Sequence, residues 1–379
     1  MKIRFTDNEK HLNFCPLALT RPIAEIRFGI LTVKEAWSHY FEINNIKTQI
    51  YFSTEDYLQE KFPNHKQADI IIAGNCKPSH QIMSAILDLK ADETLMHSGR
   101  WLAQRGNGSA KTVSIDDSAT IWIDEIWDIF QKNNLALALD FKHLIANRIS
   151  ETISPSSQVI APENIFIESG AKVECAILNA SDGPIYIGKD AEVMEGAMIR
   201  GGFALGSHST VKMGAKIYGA TTIGPECKVG GEISNCVIQG YSNKGHDGFL
   251  GNSVIGEWCN LGADTNSSNL KNNYNPVKIY NFQTKQLEST DNLFCGLLMG
   301  DHSKTGINTM LNTATTVGVS ANIFGAEFPP KFIPSFSWGA TEPFDFNKAM
   351  EVAQNMMKRR GIELTSADLN ILKHIAMQS

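Results

Sequence analysis

From Ile187 onward an aliphatic residue returns at every sixth position: Val193, Ile199, Leu205, Val211, Ile217, Ile223 and Val229. Four places after each anchor stand Ala191, Ala197, Phe203, Ser209, Ala215, Thr221, Cys227 and Ile233, most of them small. An α-helix repeats every 3.6 residues and a strand every two, so neither yields a step of six. A triangular coil does. Each hexapeptide forms one short strand and a turn, three of them close a rung, and the aliphatic residue points into the narrow prism. The step is already present at Ile167 and Val173, pauses over Asn179–Pro184, and reappears at Met299, Thr305, Leu311, Val317 and Ile323. The next secure anchors after Val229 are Ile255 and Leu261; a gap of 26 residues is four hexads plus two and predicts an insertion. The pattern predicts a left-handed parallel β-helix over residues 155–335.

Before the coil the periodicity changes. Lys2–Phe5, Gln49–Phe52 and Asp69–Ala73 read as strands, while Ile30, Val33, Trp37 and Tyr40 form one helical face and His80–Lys90 another. This alternation predicts a small α/β domain of parallel strands over residues 1–123. Residues 124–154 read as a helical linker, with Ile126, Ile129, Phe130, Leu135, Leu139 and Leu144 at mixed three- and four-residue spacing. Residues 336–379 form a helical tail, whose second helix opens on Thr365-Ser-Ala-Asp368 like a capping box. These helices are expected to cover the open end of the prism, which otherwise exposes apolar rungs.

A length of 379 residues suits two or three domains. The net charge of −6 argues against a broad nucleic-acid footprint, though not against a local basic pocket for a phosphorylated ligand. The opening MKIRFTDNEKHLNF has no signal-peptide apolar stretch, and no run of about 18 apolar residues occurs, so a cytoplasmic protein off the membrane is expected. The cysteines at 15, 76, 175, 227, 236, 259 and 295 are odd in number and include no CxxC pair. Buried, reduced thiols are expected rather than a disulfide framework or a structural zinc, and the sequence does not show whether a metal binds.

The segment 240–251, GYSNKGHDGFLG, followed by NSVIGEWCNLGADTNSSN, interrupts the hexads with unusual residues. Lys244-Gly245-His246, Phe249-Leu250-Gly251, Ile255-Gly256, Asn260-Leu261-Gly262-Ala263 and Asn269 resemble the acetyltransferase half of the bifunctional enzymes that make UDP-N-acetylglucosamine. Moving an acetyl group from a thioester to an amine needs a base for the amine's proton, and an imidazole titrating near neutrality can serve. The resemblance implies that His246 is the general base of an acetyl-CoA-dependent N-acetyltransferase acting on an amino-sugar phosphate such as glucosamine 1-phosphate. It implies that Arg200, Lys244, Phe249, Asn260 and Asn269 bind the substrate, that Ala263 and Ile307 line the coenzyme A groove, and that the protein is a homotrimer.

The family's substrate-binding tyrosine is Phe249 here, its late lysine falls near Gly296, and its base-orienting carboxylate falls on Ser234. Glu232 or Asp247 could replace the carboxylate, and the stretch 270–292, with Lys271 and Lys278, could supply the cation. HSKTGIN at 302–308 and PSFSWG at 334–339 resemble a shorter branch of the family, nucleotidyltransferase-like in front and acetyltransferase-like behind. In the front domain Leu17–Ile26 resembles the neighbourhood of the nucleotide loop of sugar-phosphate nucleotidyltransferases. That makes Arg21 a candidate phosphate contact, a structural salt bridge being the alternative, and implies Mg²⁺ only if the domain transfers nucleotides. The glycine-rich loop that would wrap a triphosphate is absent. A nucleotidyltransferase, a bifunctional enzyme, and a non-catalytic sugar-nucleotide-binding scaffold are the competing readings.

Overall fold

A computed structural model describes residues 1–108 and 111–378. The period of six closes a parallel β-helix, as expected. All the anchors from Ile167 to Ile323 named above are buried, and so are the residues four places after the run from Ile187 to Val229. Short strands stack into three parallel sheets. The first face runs from Ile165–Ile167 to Phe332–Ile333, with nine strands. The second runs from Lys172–Val173 through single bridges at Asn243, Asn260 and Lys304 to Ser337–Trp338. The third runs from Gln158–Ile160 to Phe249–Gly251, and Asn266–Ser267 and Met310–Leu311 pair beyond it. A prism of this kind turns corner carbonyls away from solvent, and hydroxyls at the small position satisfy many of them. Ser209 donates to the Gly224 carbonyl at 2.7 Å, Thr265 to Gly262 at 2.8 Å, Ser303 to Gly318 at 2.7 Å and Thr309 to Gly306 at 2.9 Å.

No insertion separates Val229 from Ile255. The steps shorten instead, through Ile233, Ile238, Lys244 and Leu250, and the register pairs Thr222 with Val237 and Ile238 with Ile255. The shortened corner at Gly230-Gly231 suits glycine, since a Cβ on Gly231 (φ +72°) would stand 2.8 Å from the carbonyls of His246 and Gly248. The true excursion follows Ser267. It carries a hairpin, Lys278–Asn281 against Gln286–Ser289, before Leu298–Met299 returns to stack on Val254–Ile255. Its Val277 and Ile279 are buried in the front domain's core.

The front domain is α/β, with a mixed sheet in place of the all-parallel one expected. Its order is Gln49–Ser53, Lys2–Thr6, Ile70–Ala73, Arg100–Arg105, Glu93–His97, Lys111–Ile115, and Arg100–Arg105 runs antiparallel to both neighbours. The reversal sits at Ser98-Gly99, both in the left-handed region (φ 48° and 77°), a two-residue hairpin turn that the sequence signals only as a Ser-Gly dipeptide. Helix α1 (Val33–Ile43) starts on a capping box of Thr32 and Glu35, and α2 (His80–Asp88) is capped by Ser79. The linker forms α3 (Asp128–Gln131) and α4 (Asn133–Leu144). Leu135 is exposed; α4 buries Asn133, Leu137, Asp140 and Phe141 instead, and Asp140 meets the buried Lys77 ammonium and the Ile30 and Leu31 amides.

The three faces of the prism meet different neighbours. The front domain packs on the first face, where Val237, Val254, Leu298 and Ala314 join its core, and α4 covers Phe166, Ala204 and Ala220 lower down. Helices α5 (Phe346–Lys358) and α6 (Ser366–Met377) pack on the flank against Leu58, Val319 and Phe336, not across the prism's end. There Met350, Ile371, Leu372 and Ile375 of the helices share one buried cluster with Leu58 of the front domain. The capping box at Thr365 and Asp368 forms as expected. On the third face Ile177, Met198 and Tyr218 stand exposed in consecutive strands. No helix among the described residues is long and apolar enough to cross a membrane.

Candidate functional site

The corner between the second and third faces stacks one loop per rung. Inward-facing Lys244, Leu261 and Thr305 lead into the turns that carry His246, Ala263 and Ile307. The turns are tied in series: the Asp264 amide donates to the Asp247 carbonyl at 3.1 Å and the Asn308 amide to the Ala263 carbonyl at 2.8 Å. His246, Ala263 and Ile307 thus stand one above another at the strand spacing of about 4.8 Å. The His246 side chain is exposed, and its imidazole has no hydrogen-bond partner among the described residues. Neither candidate carboxylate orients it: Glu232 accepts from the Tyr218 hydroxyl at 2.5 Å, and Asp247 turns into solvent.

His246 borders a cleft of about 590 Å³ between the second face and the end of α5. One wall is the column of outward-facing residues just before each anchor, Lys228, Asn243, Asn260 and Lys304, in register across four rungs. Lys212, Arg359 and Arg360 add charge, and among the described residues no carboxylate lines the cleft. Arg360 is steadied by Glu226, through its carbonyl at 3.2 Å and its carboxylate at 3.8 Å just outside the cleft lining. Burial pushes the Lys304 ammonium down to about 8, and it donates to the His302 carbonyl at 2.7 Å. A five-cation cleft with amides among the charges suits a phosphate-bearing ligand. Thiolate chemistry is not offered there: Cys227 and Cys259 lie behind the wall, and burial pushes both thiols up to about 12.

The remaining sequence-derived residues lie elsewhere. The Lys244 side chain is inside the prism, 2% exposed, and its ammonium goes to main-chain carbonyls, so it does not reach a ligand in the cleft. Phe249 and Asn269 meet on the third face, where a Cβ on Gly251 would fall 2.6 Å from the Phe249 ring and 2.7 Å from Asn269 Nδ2. Arg200 pairs with Asp182 at 2.5 Å on the same face, three strands below Phe249–Gly251. Arg21 is buried against Asp301 and Glu257, the latter at 3.0 Å, so both carboxylates hold the guanidinium and the salt-bridge alternative is the one formed. Lys271 donates to the Pro276 carbonyl within its own loop, and Lys278 lies on the hairpin, so neither supplies the cleft. Lys228 and Lys304 could have been found by reading the residue before each anchor; Arg359 and Arg360 could not, because only the docking of α5 brings them there.

Beside the start of the front-sheet strand Arg100–Arg105, Asp124 accepts from Arg100 at 2.6 and 3.0 Å and from Lys10 at 2.7 Å, and these cations hold its carboxyl low despite burial. With its oxygens so engaged, Asp124 does not fit a Mg²⁺ site, and among the described residues no three metal-ligating side chains converge.

Fold and site together define a hexapeptide-repeat β-helix protein with an α/β front domain. Comparison with known proteins agrees. Residues 3–149 match the model of the family described as sugar nucleotidyl transferase. The chain is 37% identical over 87 residues to the bifunctional protein GlmU of Methanocaldococcus jannaschii (23% of this chain, 21% of that one). It is 24% identical over 217 residues to the GlmU of a Cyanothece species (52% and 43%). It is 28% identical over 144 residues to the bifunctional sugar-1-phosphate nucleotidylyltransferase/acetyltransferase of Sulfurisphaera tokodaii (38% and 35%). The chain spans less than half the length of these relatives. The resemblance suggested by the Lys244–His246 loop is thereby borne out, at modest identity.

Proposed function

We propose that the protein is an acetyl-CoA-dependent N-acetyltransferase for an amino-sugar phosphate, in the synthesis of a nucleotide sugar or envelope precursor. The observation that carries this reading is His246 standing free at the mouth of a cleft whose charged walls are all cationic. In the reaction the amine nitrogen attacks the thioester carbonyl. His246 takes the amine's proton, the C–S bond breaks as the C–N bond is completed, and the proton passes to the departing thiolate. The cations Lys228, Lys304, Arg359 and Arg360 hold phosphate groups of sugar or coenzyme, Asn260 offers an amide, and Ala263 and Ile307 lie along the corner above the base as groove-lining positions. The test is thiol release from acetyl-CoA with glucosamine 1-phosphate. His246→Ala should lower turnover on the order of a hundredfold to ten-thousandfold with the fold unchanged. Wild-type turnover in a folded variant would sink the role.

The family match of residues 3–149 favours a second reading, nucleotidyl transfer or sugar-nucleotide binding by the front domain. Against transfer stand the absent glycine-rich loop and the engagement of Arg21 and Asp124 by partners within the chain. Acting as a trimer in the cytoplasm is part of the same proposal; the exposed stripe Ile177, Met198 and Tyr218 supports self-association through the third face.

A further inference from the structure

We infer that Lys244 is a positioning residue that fixes the His246 loop from inside the prism. This deepens the acetyltransferase reading and rests on it for its catalytic consequence, though not for its structural one.

Lys244 occupies an anchor site, stacked between Val229 and Leu261, where the column otherwise holds aliphatic side chains and one threonine, Thr305. It is among the largest fully buried side chains of the molecule. Burying an ammonium among aliphatic groups is costly unless its donors are met. Here they are met by one loop: Nζ donates to the His246 carbonyl at 2.5 Å and to the Asp247 carbonyl at 3.0 Å.

The neighbouring rungs meet a different carbonyl, from a different place. In the hexads led by Leu261 and Thr305, the residue four places on is Thr265 or Thr309, and its hydroxyl takes the corner carbonyl of Gly262 or Gly306. In the hexad led by Lys244 that place is Gly248, which has no side chain to offer. A larger residue is barred, because Gly248 has φ +109° and a Cβ would lie 2.3 Å from the Thr265 carbonyl. Gly248 offers no hydroxyl, and the anchor position, with three N–H groups, donates instead to the His246 and Asp247 carbonyls, one and two places beyond the corner position that the threonines serve. The Asp247 carbonyl also accepts the Asp264 amide, so the lysine ties His246 to the rung that carries Ala263. Burial pushes the ammonium down to about 8, the expected mark of a charge held in this setting.

The role differs from that of an ordinary core residue in its sign. Lys244→Met keeps length and apolar packing and removes the buried charge, so thermal stability should hold or rise. The loop should nevertheless loosen, with amide hydrogen exchange at 246–249 faster by tenfold or more, and kcat should fall at least about tenfold while KM for acetyl-CoA stays within about twofold. Lys244→Gln, which keeps two donors, should fall between. Unchanged exchange at 246–249 in Lys244→Met overturns the tether. A loosened loop with wild-type kcat overturns positioning while leaving the tether, and kcat lost only in step with the melting temperature reduces Lys244 to a structural residue and overturns the inference. If the Met variant does not fold, the Gln variant carries the same readings against wild type. Failure of the acetyltransferase reading itself is separate: it shows as wild-type turnover in His246→Ala, whatever the exchange data on Lys244 variants report.

Discussion

Replacing Arg21 with Met would separate the two roles open to that residue. Its guanidinium is 7% exposed, and the Asp301 carboxylate it holds is 5% exposed. Burial disfavours the charge, but Asp301 and Glu257 raise the group well beyond its ordinary value, so it stays ionised throughout. With Arg21 gone, Asp301 would keep the Thr20 hydroxyl at 2.7 Å and the Glu257 amide at 2.8 Å, but no counter-charge. Breaking one side of a buried pair costs about 3–5 kcal/mol, and Glu257, at 29% exposure, recovers water and adds little. The Arg21→Met chain should therefore lose about that much in urea unfolding, and adding Asp301→Asn should return a good part of it, since the stranded charge is the main cost. Pyrophosphate release from UTP with N-acetylglucosamine 1-phosphate and Mg²⁺ should be weak in the wild type and no different in the variant. A loss below about 1 kcal/mol, or robust turnover that disappears on the substitution, would refute the reasoning.

Lys244 and Lys304 are both held down to about 8 in the fold, against 10.5 when unfolded. Between these values the unfolded chain binds more protons, so stability should rise from about pH 8 to about pH 10.5, and Lys304→Met should reduce that rise in urea midpoints; an identical slope would count against the burial. Met198→Asp on the third face should convert a trimer into monomers by light scattering at micromolar concentration, and a monomeric wild type would end the trimer proposal.

The coil was legible because a step of six has no rival explanation, and each named anchor faces the axis. The pattern breaks where chemistry changes at an anchor: Lys244 is not apolar, so its hexad carries no hydrophobic signal, and the shortened steps around Ile233 and Ile238 have the length of an insertion. Within the site, the loop motif pointed to His246, Asn260 and Ala263, which share one corner. The same motif also pointed to Arg200, which the coil carries three strands away on the third face, because spacing along the chain does not report position around a prism. Arg21 fell to the same limit; its partners lie 236 and 280 positions downstream.

The front-domain segment 20–31 touches successive rungs in order: the Gly29 carbonyl accepts from Thr222 at 2.8 Å, Arg27 and Gln239 exchange main-chain and side-chain bonds at 2.7 and 2.9 Å, and Arg21 clasps Glu257 and Asp301. A solenoid left to itself is a row of nearest neighbours in which any rung can open at a cost set by the two beside it. This segment acts as a splint along four of them. Opening one rung there means peeling the splint, so the four become a single cooperative block, and the rung that carries His246 lies within it.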